Sequence, residues 1–197
     1  MKNANSEKKR SLLKTSFITS GFMYLYTLVF SALSALFLFV SGLHFMIYIG
    51  VGAVFGAPVV ILAAHHGIKI ADEEFSARNH KLSGEKITTF ERVPLYYPIV
   101  AMLPYLALPL VCVLIGELSG IIAFQTVALV IAAPAALIFR GASLINLASV
   151  SWWAALAVGI YCLACLISVT AGFINKEKER ERAYIDIVNE IQLSKRY

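Results

Sequence analysis

Charge is nearly absent from two long blocks of this chain. No Asp, Glu, Lys or Arg occurs between Thr15 and Ile68, and only Glu117 and Arg140 occur between Val93 and Asn175. A helix needs roughly 20 apolar residues to cross a hydrocarbon core about 30 Å thick, so the first block has room for two crossings and the second for three. The pattern predicts an all-α, polytopic transmembrane helix bundle, one membrane domain over residues 15–175. Its five hydrophobic segments fall at about 16–40, 44–64, 95–116, 121–139 and 152–174. Ser41-Gly42 separates the first two, and a polar loop over 65–92 separates the second from the third. Gly-Glu-Leu-Ser-Gly at 116–120 closes the third, and Arg140 closes the fourth. The fifth opens on Trp152-Trp153, whose rings suit the headgroup level, and stops at Lys176.

The distribution of bases raises a parity problem. Residues 1–14 carry Lys2, Lys8, Lys9, Arg10 and Lys14, the central loop carries Lys69, Arg78, Lys81, Lys86 and Arg92, and residues 176–197 carry six more. Bases accumulate on the cytoplasmic side of membrane proteins, so all three stretches are expected there, with the N-terminus cytoplasmic in a multi-pass cell-membrane protein. Two crossings satisfy this for the first hairpin, but three would carry the C-terminal tail outside. The third segment contains Pro98, Pro104 and Pro109, each of which removes a backbone donor. That makes it the candidate for a broken or re-entrant helix, which would restore the parity; the alternatives are five ordinary spans with the C-terminal tail outside, since prolines are common in membrane helices, and a further span near 141–151.

Composition sharpens the class. Hydrophobic residues make up 59% of the chain, above the roughly 45–50% of an ordinary soluble domain. The net charge of +5 resides mostly in residues 1–14, ahead of the first segment, where it reads as a topology determinant; no basic stripe with interleaved aromatics points to nucleic acid. The first hydrophobic run is too long for a signal-peptide core of 7–15 residues, so an uncleaved first span is expected. Residues 176–197 read as a charged amphipathic helix continuing the fifth span. Tyr184, Ile187, Val188 and Ile191 share one face of it and are candidates for docking a partner.

Candidate chemistry is sparse. Cys162-Leu-Ala-Cys165 resembles, in spacing only, the redox pair of quinone-linked thiol oxidoreductases of the DsbB and vitamin K epoxide reductase type. Those proteins relay electrons through a second cysteine pair, whereas the remaining cysteine here is Cys112. The apolar surroundings of Cys162 and Cys165 disfavour a thiolate, so buried packing is the expected role. Glu73-Glu74-Phe75-Ser76-Ala77-Arg78 resembles the EExxxR pattern of CAAX-type intramembrane proteases. That family also needs later histidines, and no histidine follows His80. His65, His66, Asp72, Glu73, Glu74 and His80 are suitable metal donors by type, but adjacent histidines diverge on a helix and the spacing matches no ligand pattern. Neither a metal, a cofactor nor a catalytic residue is expected.

Small residues carry a clearer message. Gly52 and Gly56 form a GxxxG, and Gly52, Gly56 and Ala63 give the second segment a close-packing face. Ala132, Ala133, Ala135 and Ala136 around Pro134, and Ala154, Ala155 and Gly159, do the same elsewhere. Deep polar groups are hydroxyls and one amide: Tyr24, Tyr26, Thr27, Ser31, Ser34, Gln125, Thr126 and Ser168. The expectation is a non-catalytic subunit of a membrane transport complex or a membrane scaffold. Its partners would be the lipid bilayer and other membrane or cytoplasmic subunits, or copies of itself. The alternatives are a small-molecule binding or translocating protein with Gln125 and Thr126 lining a cavity, and a membrane thiol oxidoreductase using Cys162 and Cys165.

Overall fold

A computed structural model describes residues 2–40, 42–79, 92–141 and 150–194. Among them the chain is all helical: α1 (Lys2–Phe39), α2 (Phe45–Asn79), α3 (Tyr96–Ser119), α4 (Ile122–Ile131), α5 (Ala133–Gly141) and α6 (Val150–Ser194). Ser16–Leu38 of α1, Phe45–Phe75 of α2, Tyr96–Ser119 of α3 and Ala155–Asp186 of α6 are each long and apolar enough to cross a bilayer. The chain is thus a polytopic helical membrane bundle. Large apolar side chains such as Leu28, Val54, Ile61 and Leu163 face outward, as a lipid solvent allows.

The third segment is not the broken one. Pro98 sits in the first turn of α3, where no intrahelical donor is required, and the helix runs through Pro104 and Pro109 without interruption. A proline at position i strips the carbonyl at i−4 of its partner, so Pro104 frees Val100 and Pro109 frees Tyr105. Hydroxyls of α1 take up both carbonyls. Ser16 Oγ donates to Val100 O at 3.1 Å, and Tyr24 OH donates to Tyr105 O at 3.0 Å and to Pro104 O at 2.9 Å. Ser20 adds a bond to Ala101 O at 3.3 Å. These contacts advance together along both helices, so α1 and α3 run parallel.

The break falls in the fourth segment instead. α4 and α5 meet at Ala132 with a bend of 93°. At 10 and 9 residues they are about 15 and 14 Å long, each half a bilayer core. Gly120, in the left-handed region at φ 68°, turns the chain from α3 into α4, and Gln125 then packs on Gly116 as α4 runs back along α3. α5 returns across α2, with Pro134 against Gly52 and Gly56, and ends where the Arg140 guanidinium lies 4.6 Å from the Tyr48 ring centroid near the start of α2. Both ends of the pair therefore lie at the end of the bundle where α1 finishes and α2 begins, the geometry of a re-entrant hairpin. Its bend is buried in protein: Ala128, Ala132, Ala133 and Ala136 are all fully buried, and Ser31 Oγ donates to Ile131 O at 2.8 Å. Irregular backbone at membrane depth is tolerated under just those conditions.

The predicted polar loop also changes shape, because α2 continues as helix from its apolar part to Asn79. Along this length it makes its most extensive packing, against α6. The two helices cross backbone to backbone. A Cβ on Gly67 would stand 2.0 Å from Val169 O, and one on Gly172 would stand 2.1 Å from Ala64 O. Gly52 does face another backbone, that of α5 at Pro134 and Ile138, and Gly56 faces the Pro134 side chain, whereas nothing lies within 4 Å of a Cβ built on Gly159.

Two measurements check this packing. Tyr24→Phe should lower the unfolding free energy in mixed micelles by about 1 kcal/mol, and by less in a Pro109→Ala background, where a restored backbone donor serves the Tyr105 carbonyl. Strict additivity of the two changes would show that Tyr24 does not compensate for the proline. Gly67→Ala should cost at least the roughly 1–3 kcal/mol typical of overpacking, while Gly159→Ala leaves thermal stability in detergent unchanged.

Candidate functional site

Polar groups gather at three levels of the bundle. Midway along it, Thr27 Oγ1 and Tyr105 OH lie 2.6 Å apart, and Tyr105 OH and Tyr161 OH 2.8 Å apart. This chain of hydroxyls links α1, α3 and α6 through a fully buried Tyr105. Tyr105 at the centre makes both bonds, so a polar core is made without charge. Cys162, Cys165 and Cys112 belong to the same apolar core as the two tyrosines, and all three are buried free thiols.

The re-entrant end holds the second group. Gln125, buried, donates its amide to Glu117 Oε1 at 3.2 Å, and Thr126 donates to Ile122 O one turn earlier at 2.9 Å. The two residues expected to line a cavity thus have their polar groups engaged within α3 and α4. Arg140 keeps one buried guanidinium nitrogen, Nη1, without a hydrogen-bond partner beside the Tyr48 ring, and Tyr48 OH in turn donates to Val40 O at 2.7 Å.

The opposite end carries the charges. Arg180 of α6 donates Nη1 to Ala71 O at 2.8 Å, pairs through Nη2 with Asp72, and lies 4.2 Å from the Phe75 ring centroid. Arg92 pairs with Glu181, which raises the guanidinium pKa above its ordinary value by hydrogen bonding and charge. Glu177 accepts from Val93 N at 2.7 Å. These bonds tie the start of α3 and the end of α2 to the part of α6 that leaves the membrane. A groove of about 460 Å³ opens between Val93, Pro94 and Leu95 on one side and Ile174 and Lys178 on the other.

The residues of the histidine and acid-rich stretch separate. His65 is exposed while His66, next in sequence, is buried against Phe22, as divergence on a helix requires. Asp72 is committed to Arg180, Glu73 lies 3.9 Å from Lys69, and Glu74 is buried and engaged. His80 and the side chain of Arg78 lie outside the described residues. Of the docking stripe, Tyr184 is half-buried and engaged; the side chains of Ile187, Val188 and Ile191 lie outside the description. Sequence reasoning passed over Arg180 and the Gly67/Gly172 pair. The signals available were a base one turn beyond Lys176 and glycines at related depths in two long helices.

Comparison with protein-family models, with curated proteins and with solved structures finds no match to this chain.

The state of the thiols is directly measurable. Denatured without reductant, the protein is expected to take a maleimide on each of its 3 cysteines. Protection of Cys162 and Cys165 together would reveal a disulfide and favour the oxidoreductase chemistry.

Proposed function

We propose that this protein is a non-catalytic membrane subunit, of a transport complex or of a membrane scaffold, that holds a partner on the cytoplasmic side through the extension of α6. The observation that carries this reading is the mounting of that helix. α6 is 45 residues without a break, about 67 Å, which is more than twice the thickness of a hydrocarbon core. Its charged part therefore stands outside the bilayer as a rigid continuation of a span. Arg180 to Asp72 and Ala71, Glu181 to Arg92, and Glu177 to the Val93 amide fix its direction relative to α2 and α3. An isolated surface pair contributes only about 0–1 kcal/mol, but Arg180 is 17% exposed, stacked and doubly bonded. A partner bound to such an extension would be held at a set angle to the bundle.

Charge supports the cytoplasmic assignment. With α4 and α5 entering and leaving at one end, four crossings put residues 1–14, 69–92 and 176–197 on the same side. That side then bears five, five and six Lys and Arg by segment, against Arg140 alone on the other.

Topology is tested by cysteines placed at Ser6, Ser83 and Ser194 in a cysteine-free background. All three should resist an impermeant maleimide in intact cells and react after permeabilisation. Labelling of Ser194→Cys alone in intact cells would make α4 and α5 a crossing and sink the proposal. Photo-crosslinkers at Ile187 and Ile191 should each yield one discrete adduct. Ile187→Asp with Ile191→Asp should abolish it, and Arg180→Ala should weaken it several-fold with insertion unchanged; adducts to lipid alone would refute partner docking.

A further inference from the structure

The cleft between α1 and α2 at the charged end holds a buried polar atom without a partner. His66 is 8% exposed, its ring lies 6.3 Å from that of Phe22, and its Nε2 has no hydrogen-bond partner in the protein. Buried nitrogens are nearly always paired, so an orphan at the wall of a void marks a place for an external acceptor or donor. The void is there: His66, Thr19 and Phe22 bound a cavity of about 40 Å³ whose other walls include Lys69 and Glu73. That volume admits a few oxygen-sized atoms and excludes a bulky ligand.

The mouth of the cleft determines the ligand's chemistry. Lys69 and Glu73 stand there with side chains 52% and 49% exposed, their charged atoms 3.9 Å apart, so each keeps capacity for another partner. Lys69 Nζ also lies 6.0 Å from the Phe22 ring centroid. With neutral His66, the three groups sum to no net charge, offering donors to an anion and an acceptor to a cation a few ångströms away. Depth fits a headgroup, because Lys69 is three residues, about 4.5 Å along the helix, before Asp72 and its pairing with Arg180. Below the cleft, Ile18, Phe22, Leu25 and Val29 of α1 form an exposed apolar ridge facing the hydrocarbon region.

We propose that this cleft binds one zwitterionic aminophospholipid. A phosphate oxygen accepts from His66 Nε2–H and from Lys69, the primary ammonium donates to Glu73, and an acyl chain lies along Ile18, Phe22 and Leu25. A quaternary ammonium has no N–H for Glu73, and an anionic headgroup without an amine meets its carboxylate unfavourably. The site therefore selects phosphatidylethanolamine over phosphatidylcholine and phosphatidylglycerol. It stands independently of partner docking by α6.

The test is native mass spectrometry of the full chain from micelles doped with equal amounts of dioleoyl phosphatidylethanolamine, phosphatidylcholine and phosphatidylglycerol. One phosphatidylethanolamine should be retained about tenfold over the others, the ratio corresponding to one charge-assisted hydrogen bond. Lys69→Gln, at an exposed position that leaves packing intact, should lower retention about tenfold. Glu73→Gln should erase the preference over phosphatidylcholine while keeping phosphate-dependent retention. His66→Phe should abolish retention, and His66→Gln, which keeps an N–H donor, should restore part of it. Equal retention of the three lipids, or variants that behave as the parent, would overturn the proposal and leave the void to water. Displacement of the lipid by millimolar phosphoethanolamine would equally overturn it, assigning the cleft to a soluble ligand.

Discussion

The bundle depends on one stripe of hydroxyls meeting polar groups of the neighbouring helices, among them the Val100 and Tyr105 carbonyls that prolines leave bare. Ser16, Ser20, Tyr24, Thr27 and Ser31 recur along one face of α1, and each finds its partner on another helix. A proline inside a helix costs about 3 kcal/mol, part of it for an unpaired carbonyl that lipid cannot satisfy. By supplying the missing donors, α1 lets α3 remain continuous through Pro104 and Pro109 and sets the parallel register of the pair. Tyr105 then presents its hydroxyl to Thr27 and Tyr161, which draws α6 into the same register. Ser31, two turns further along, performs the same service for the Ile131 carbonyl at the bend of the re-entrant hairpin.

α2 supplies the complementary constraint. Its glycines allow approach by two different backbones: α5 at Gly52, α6 at Gly67. In hydrocarbon no hydrophobic force joins helices, so close contact and dispersion carry the association. Close contact also fixes depth, since Gly67 against Val169 and Gly172 against Ala64 leave little freedom to slide. With α2 and α6 locked parallel, Asp72 and Arg180 arrive at the same level outside the apolar region, and their ion pair follows from the crossing rather than producing it.

The five apolar segments were legible because hydrocarbon thickness sets a length that charge-free runs reveal directly. The place of the break was not. Three prolines in the third segment pointed there, yet whether a proline breaks a helix depends on donors from a neighbour, and nothing local to residues 95–116 says that Ser16 and Tyr24 will lie alongside. In the fourth segment a single Pro134 suffices, because the short apolar helices on either side can bury their bend among Ala128, Ala132 and Ala136. The stretch after His65 read as a loop from its polarity. It continues as helix because Asp72 pairs with Arg180 of α6 and Glu74 is buried against the folded bundle. Gly67 and Gly172 escaped notice since neither belongs to a GxxxG, and His66 became informative only once its orphaned nitrogen and the adjacent void were visible together.

In the four-crossing reading proposed above, the placement of the break also removes the conflict between parity and charge. A re-entrant third segment and a re-entrant fourth segment give the same count of crossings, so the positive-inside argument alone could not choose between them. The structure chooses the fourth, and the choice has mechanical consequences. α3 becomes a full crossing that delivers Arg92 and Val93 to Glu181 and Glu177 of α6. Had α3 been the hairpin, its start would have had no neighbouring span to brace, and the extension of α6 would have rested on Arg180 alone. A buried bend at one end and a braced helix at the other are thus linked through α3, whose continuity rests on the hydroxyls of α1.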